Sequence, residues 1–268
     1  MKNAKTYEKA VRKLLGQLPR RKRFGPEDPM EILLESILLS NAAVGQAQEA
    51  LAVLKREYVD FNELRVAPAR EIVELIGEDY PQGRQKANII TTVLRNLFVS
   101  VGTLSLESLR DLPKRELRRR LQELGLDSFA GAAVTLRVFG GHAVPVDAAL
   151  VEVLEQDGLV HPGSRVEDVQ GFLERVVSQK DAPEVFEALR AYVEKHPEVL
   201  ARRRQPEEVA VQEDADAAPV ASDEEPAAAG ASPEADKPPR DDKSSAAPGR
   251  ASRKSTRKAS LADKTETP

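Results

Sequence analysis

The sequence of 268 residues contains no cysteine. That absence excludes disulfide scaffolds, thiolate nucleophiles, zinc ribbons and iron–sulfur clusters held by cysteine. Histidine is scarce as well, because His142, His161 and His196 are the only three and lie far apart along the chain. Any chemistry must therefore use carboxylates, hydroxyls, lysine or backbone dipoles, and we expect neither a metal nor a cofactor.

Long hydrophobic runs are also missing. No stretch of about 18 apolar residues occurs without a charge, so we expect no membrane span and no membrane partner. The first residues carry a charge every few positions and lack the apolar run of a secretory signal. We therefore expect a soluble, monomeric protein of the cytoplasm, associated with the nucleoid if it is bacterial.

The composition changes near residue 205. Residues 205–268 contain no aromatic side chain and almost no large aliphatic one, so they cannot bury enough apolar area to offset their ordering entropy. Their charges are segregated, with twelve acids against two bases in 207–242 and seven bases against two acids in 243–268. We expect a folded domain over residues 1–204 and a disordered tail, acidic then basic, over 205–268.

Two groups of basic residues stand out within the folded part. Residues 1–24 carry nine bases and one acid, Glu8. The second group consists of Arg110, Lys114, Arg115, Arg118, Arg119 and Arg120. Such groups are most often solvated faces, but clusters of this kind also attract phosphates whatever the net charge of the chain.

Helical spacing of apolar residues recurs throughout residues 1–204, and no long β-branched alternation occurs. Asp28, Pro29 and Glu31 give the N-cap acid, first-turn proline and third-position acid that open a helix. The run that follows, residues 32–39, is apolar on nearly all sides, which predicts a central, buried helix. The fold class is therefore all-α.

One region predicts a specific arrangement of helices. We predict two helices, over 112–124 and 128–139, joined by a turn at 125–127. A loop rich in glycine and proline follows, and then a helix over 148–156. The short turn leaves backbone N–H groups unpaired at the start of the second helix, where a phosphate-sized anion could bind. Asp147 precedes the last helix, where its carboxylate stays ionised; local evidence alone favours a plain N-cap.

The order of these pieces resembles the helix-hairpin-helix–GPD superfamily of base-excision DNA glycosylases, in its endonuclease III-like branch. The resemblance covers residues 28–160. Four stretches carry it: 28–41 (DPMEILLESILLSN), 80–87 (YPQGRQKA), 109–113 (LRDLP) and 139–147 (FGGHAVPVD). It implies a two-lobed helical fold, with a central lobe at about 28–141 and a second lobe from 1–27 plus 142–204.

The resemblance also implies a chemistry. Such enzymes flip a base out of double-stranded DNA, and a fixed carboxylate then stabilises positive charge on the deoxyribose. Asp147 matches the position of that catalytic carboxylate, and Asn41 falls where the family has an amide side chain near the gap. The further DNA contacts that we expect are Gly125, Leu126, Asp127 and Ser128 in the turn, together with Lys86, Arg118 and Arg119.

The sequence departs from the family at important positions. Phe129 stands where bifunctional members have a Schiff-base lysine, so lyase chemistry by that route should be absent. Asp127 replaces a glycine and places negative charge beside the expected phosphate. The adenine-excising relatives use a glutamate where this chain has Ser36; the neighbouring Glu35 is either a displaced acid or an ordinary paired glutamate. The cluster cysteines of the family are missing.

Three hypotheses follow. The first is a monofunctional DNA N-glycosylase, in which Asp147 directs water at the N-glycosidic bond; the second is an inactive DNA-binding or lesion-sensing relative. The third is a helical protein unrelated to nucleic acid. The tail could contact flanking DNA through its basic end, cover the N-terminal basic residues with its acidic part, or only keep the protein in solution.

Overall fold

The computed structural model describes residues 4–19 and 25–203, and these residues contain helices and no strand. The helices are α1 (Ala4–Gln17), α2 (Pro29–Leu39), α3 (Val44–Glu57), α4 (Phe61–Val66), α5 (Ala69–Ile76), α6 (Gly83–Val101), α7 (Lys114–Leu124), α8 (Ser128–Arg137), α9 (Ala148–Gln156), α10 (Val166–Val176), α11 (Ala182–Val193) and α12 (Pro197–Arg203), with a 3-10 turn at Glu107–Leu109. The all-α prediction is confirmed. None of these described helices is long and apolar enough to cross a bilayer. The predicted tail lies outside the described residues.

Helix α2 forms the centre of the fold. The carboxylate of Asp28 accepts hydrogen bonds from the N–H groups of Met30 and Glu31, at 2.9 and 3.0 Å, and Pro29 occupies the first turn. These contacts satisfy two of the donors that a helix leaves unpaired at its start. Nine of the eleven residues of α2 are buried, and the helix packs against α3, α6 and α8. The predicted central helix is thus confirmed.

Helices α7 and α8 form the predicted hairpin. Helix α7 ends at Gly125, whose φ of 106° lies in the left-handed region that favours glycine. The N–H of Leu126 then donates to the carbonyl of Leu121 at 3.2 Å, and Asp127 caps α8 through the N–H of Ala130 at 2.7 Å. Both helices are a little shorter than predicted, since the first begins at Lys114 and the second ends at Arg137.

The last helices pack against α9. Helix α9 begins directly after Asp147 and ends at Gln156, as predicted. It packs against α10, α11 and α12, while α11 also contacts α8 of the hairpin. Helix α11 therefore lies beside both the hairpin and the N-terminus of α9. The division of residues 1–204 into two lobes stays a prediction.

The hairpin offers a test of the backbone argument. We expect Gly125→Ala to lower the free energy of unfolding by about 1–3 kcal/mol, because a non-glycine residue is strained at this positive φ. An added Cβ would also lie 3.2 Å from Cγ2 of Thr92. Gly131→Ala is the matched control, since Gly131 lies within α8 and its Cβ would meet open space. Gly131→Ala should raise the free energy of unfolding by about 0.5–1 kcal/mol. Urea unfolding measures both variants, and equal effects would show that the positive φ of Gly125 causes no strain in Gly125→Ala.

Candidate functional site

Asp147 lies at the N-terminus of α9 with its carboxylate turned into the protein. Oδ1 accepts the N–H of Leu150 at 2.9 Å, which is an N-cap contact. Oδ2 accepts the backbone N–H of Asn41 at 2.8 Å and Nη1 of Arg190 at 2.6 Å. The side chain is 1% exposed. Both carboxylate oxygens are thus bound by protein groups and shielded from solvent.

Arg190 is the partner that sequence reasoning missed. It comes from α11, and its guanidinium also donates through Nη2 to the carbonyls of Leu39, at 3.3 Å, and Ala42, at 2.5 Å. The guanidinium carbon lies 5.6 Å from the centre of the Phe129 ring. The only signal in the sequence is an arginine among the apolar residues of α11. This side chain is 2% exposed, so its charge is buried together with that of Asp147.

Asn41 and Gln82 form a strained pair beside Asp147. Oδ1 of Asn41 accepts the N–H of Ala149 at 3.0 Å, and Nδ2 donates to Oε1 of Gln82 at 3.1 Å. Their φ values are 54° and 55°, and among the described residues no other non-glycine residue has a positive φ. Such conformations persist where the surroundings fix them. The amide that we expected near the DNA gap is buried here against α9.

Lys86 also contacts the C-terminal end of α2. Its Nζ donates to the carbonyls of Leu38 and Ser40, at 2.8 and 2.6 Å, and lies 4.7 Å from the ring centre of Tyr80. The hydroxyl of Tyr80 donates to the carbonyl of Leu38 at 3.0 Å. Carbonyls at a helix C-terminus carry partial negative charge and attract a cation. Lys86 is buried, so in this structure it contacts protein, although we expected it at a DNA contact.

We call Asp147, Arg190, Asn41 and Lys86 the Asp147 network. Burial lowers the pKa of Lys86 to about 7, although the charge of Asp147 opposes this shift. Burial also acts to raise the pKa of Asp147, but Arg190 and the N–H groups of Leu150 and Asn41 outweigh it. The pKa of Asp147 is therefore held below its ordinary value, and the carboxylate is ionised.

The turn of the hairpin already contains an anion. Leu126 is buried, Ser128 is exposed, and the carboxylate of Asp127 occupies the N-terminus of α8 through Ala130. Burial raises the pKa of Asp127, although the hydrogen bond from Ala130 and the charge of Lys86 oppose it. Because this carboxylate uses one of the free N–H groups that we expected to bind phosphate, an incoming phosphate meets a competing acid.

Three of the five basic residues of α7, Arg118, Arg119 and Arg120, are paired with acids. Arg118 contacts Glu174 of α10 at 3.4 Å, and Arg119 contacts Glu116 and Glu123 of its own helix. Arg118 also lines a groove of about 180 Å³ beside the turn. These ion pairs are exposed and individually weak, but they reduce the positive charge that the sequence suggested for this face.

No metal site is evident in the part of the chain that the structure describes, where no three carboxylate or imidazole side chains are grouped closely enough to hold an ion. The DNA contacts expected at the turn, at Lys86 and at Arg118 stay predictions, as does the absence of a cofactor. The catalytic role of Asp147 also stays a prediction.

Comparison of the sequence with family models gives no match, and comparison with curated proteins gives no significant one. Solved structures do match the fold. An endonuclease III trapped as a covalent intermediate with DNA matches with a TM-score of 0.54 and 17% identity over 72% of this chain and 86% of that chain. The 3-methyladenine DNA glycosylase MagIII of H. pylori, bound to 1,N6-ethenoadenine, matches with a TM-score of 0.53 and 14% identity over 73% of this chain and 99% of that chain.

An 8-oxoguanine glycosylase/lyase of Clostridium acetobutylicum, in complex with double-stranded DNA, gives a TM-score of 0.52 and 16% identity over 73% of this chain and 71% of that chain. At these identities the similarity concerns the fold. The chain has the fold of the helix-hairpin-helix DNA glycosylases, which confirms the resemblance stated from the sequence.

The depressed pKa of Lys86 predicts how stability depends on pH. As the pH rises from 7 to about 10, Lys86 loses its proton in the folded protein, whereas an unfolded lysine, with a pKa of about 10.4, still binds one. The unfolded state therefore binds more protons, and the free energy of unfolding should rise with pH by up to about 1.4 kcal/mol per unit.

Lys86→Met should remove that rise, and urea unfolding at pH 7.5, 8.25 and 9 measures it. Lys195→Met, at an exposed lysine, should keep it. A rise of the same size in both variants would show that Lys86 is not its source.

Proposed function

We propose that this protein is a DNA-binding relative of the helix-hairpin-helix glycosylases that does not excise bases. The observation that carries the proposal is the buried ion pair between Asp147 and Arg190, with Oδ2 and Nη1 2.6 Å apart. The fold supports the DNA-binding half of the proposal, and the state of Asp147 supports the non-excising half.

Base excision makes demands that this carboxylate does not meet. An oxygen must lie about 3–3.5 Å from the reacting carbon, and its negative charge must be available to the developing positive charge. Here the N–H groups of Leu150 and Asn41 and the guanidinium of Arg190 bind the two oxygens. Arg190 also neutralises the charge, so a sugar would gain little from Asp147 even if it could approach.

An amine nucleophile is also missing from the expected place. Phe129 occupies the position of the Schiff-base lysine, and its ring is buried at 6.3 Å from the ring of Phe186. The nearby amine of Lys86 donates to two carbonyls and is itself buried. Attack on a sugar aldehyde would require Lys86 to leave both carbonyls, so we expect no lyase activity.

Double-stranded DNA is the partner that the fold favours. The endonuclease III and the Clostridium acetobutylicum enzyme that share this fold were both solved with DNA. Binding through exposed Lys and Arg side chains to phosphates does not require Asp147, so it can persist when excision is lost. We therefore expect duplex affinity that depends strongly on salt and weakly on sequence.

One observation favours a monofunctional glycosylase as the second candidate. Asp147 is ionised at the N-terminus of a helix, which is the state that hydrolysis of an N-glycosidic bond requires. For this function Arg190 would have to leave Asp147, and the turn after α2 would have to open. Both changes would leave buried charges without partners, which is costly.

The two candidates differ in an excision assay with the full chain. On duplexes carrying uracil, thymine glycol, 3-methyladenine, ethenoadenine, 8-oxoguanine or mismatched bases, we expect no base release, and Asp147→Asn should change nothing. Binding to the same duplexes should weaken as salt rises. Base release that Asp147→Asn abolishes would contradict the proposal and support the glycosylase. Affinity that is undetectable or independent of salt would remove the role in DNA binding.

A further inference from the structure

Helix α1 carries a row of lysines on one face. Lys5, Lys9 and Lys13 follow one another at intervals of four residues, so each lies about 6 Å further along the helix. All three are exposed, and within the part of the chain that the structure describes none of them forms an ion pair. We call these three residues the lysine stripe.

Many exposed arginines of the described chain differ from the stripe, because they have an acid beside them. Seven exposed bases of the described residues have no ion pair, like the stripe, but do not form a row of three on one helix: Arg84, Arg95, Lys114, Arg115, Arg175, Lys180 and Lys195. Arginines paired with an acid at 2.5–3.4 Å are Arg70 with Glu74, Arg110 with Glu107, Arg118 with Glu174, Arg119 with Glu116, Arg120 with Glu123 and Arg165 with Asp168. The basic group of α7, which the sequence suggested as a DNA contact, is thereby partly neutralised. The stripe keeps its charge.

The stripe has a fixed place on the protein. Val11 of the same helix is fully buried in the core. Arg12 donates to the carbonyl of Val176 at 3.3 Å and binds the carboxylate of Glu8 at 3.0 Å. Glu8 is the only acid among residues 1–24, so its pairing with Arg12 leaves the lysines of the stripe without a local counter-ion.

We propose that the lysine stripe is the surface that contacts the phosphates of duplex DNA. The proposal rests on the proposed DNA-binding function and gives that function an interface. In the hairpin, by contrast, Asp127 occupies the anion site and glutamates bind Arg118, Arg119 and Arg120. Lysine suits this role, because a point charge on a flexible stem binds phosphate without reading a base. Recognition through the stripe is therefore independent of sequence.

The test compares full-length variants that lose equal charge. The first is K5Q/K9Q/K13Q; the matched control is R70Q/R110Q/R165Q, which removes three exposed arginines that are paired with acids. Fluorescence anisotropy with a 20-bp undamaged duplex, from 50 to 300 mM salt, gives log K against log[salt]. The stripe variant should flatten the slope by about 2.7, or about 0.9 for each lost phosphate contact. At 100 mM salt its affinity should fall on the order of tenfold or more, while the control keeps the slope.

A charge-preserving variant, K5R/K9R/K13R, should restore the slope if charge rather than fold is the cause, and circular dichroism verifies folding of each variant. A slope in K5Q/K9Q/K13Q equal to that of the unmodified protein would overturn the proposal and leave the DNA-binding function standing. A larger loss of duplex affinity in R118Q/R119Q/R120Q than in K5Q/K9Q/K13Q would overturn it too. Tighter binding by the stripe variant would overturn it as well. An unmodified protein that binds no DNA would overturn both proposals.

Discussion

The ion pair between Asp147 and Arg190 is the contact on which the centre of this fold depends. It joins the start of α9 to α11, and the same guanidinium binds the carbonyls of Leu39 and Ala42 in the turn after α2. A buried charge is tolerated when it is paired and hydrogen-bonded. Both terminal nitrogens of Arg190 have such partners, while its buried Nε has none within the described residues. Three segments that are distant in the chain thus meet at one arginine.

A positive and a negative side chain, in α11 and at its C-terminal end, contact the turn between α2 and α3. Arg190 binds carbonyls at the end of α2, and Glu194, one turn later, accepts the N–H of Val44 at 2.9 Å where α3 begins. Each charge is opposite to the partial charge of the helix end that it contacts. Nζ of Lys86 adds hydrogen bonds to the carbonyls of Leu38 and Ser40 at the end of α2. The left-handed conformation of Asn41 is fixed by these surroundings.

The same residue type can therefore serve chemistry or structure, depending on its neighbours. An aspartate at a helix N-terminus can stabilise positive charge on a sugar only if no protein cation already binds its carboxylate. In this protein Arg190 binds the carboxylate of Asp147. The ring of Phe129 lies beside the guanidinium, 5.6 Å from its carbon. The chain has the fold of the helix-hairpin-helix DNA glycosylases, and the carboxylate of Asp147 is bound by protein groups.

The features that sequence reasoning predicted are those set by local chain chemistry. Asp28 and Asp147 cap helices through N–H groups two or three residues away, and apolar spacing determines the class of fold. The burial of Asp147 is different, because Arg190 lies 43 residues further along and Asn41 lies 106 residues earlier. The pairing of Arg118 with Glu174 also spans two distant helices. No local pattern encodes such contacts, so the network became visible only in three dimensions.

The most direct measurement is a double-mutant cycle between Asp147 and Arg190 by urea unfolding. It uses Asp147→Asn, Arg190→Gln and the double variant, with Asp60→Asn as a control at an exposed N-cap. We expect a coupling energy of at least about 1.5 kcal/mol, with each single change lowering the free energy of unfolding by about 3–5 kcal/mol. The control should change stability by less than about 0.5 kcal/mol. Effects that add within about 0.5 kcal/mol would show that Asp147 is not held by Arg190, and would contradict the account.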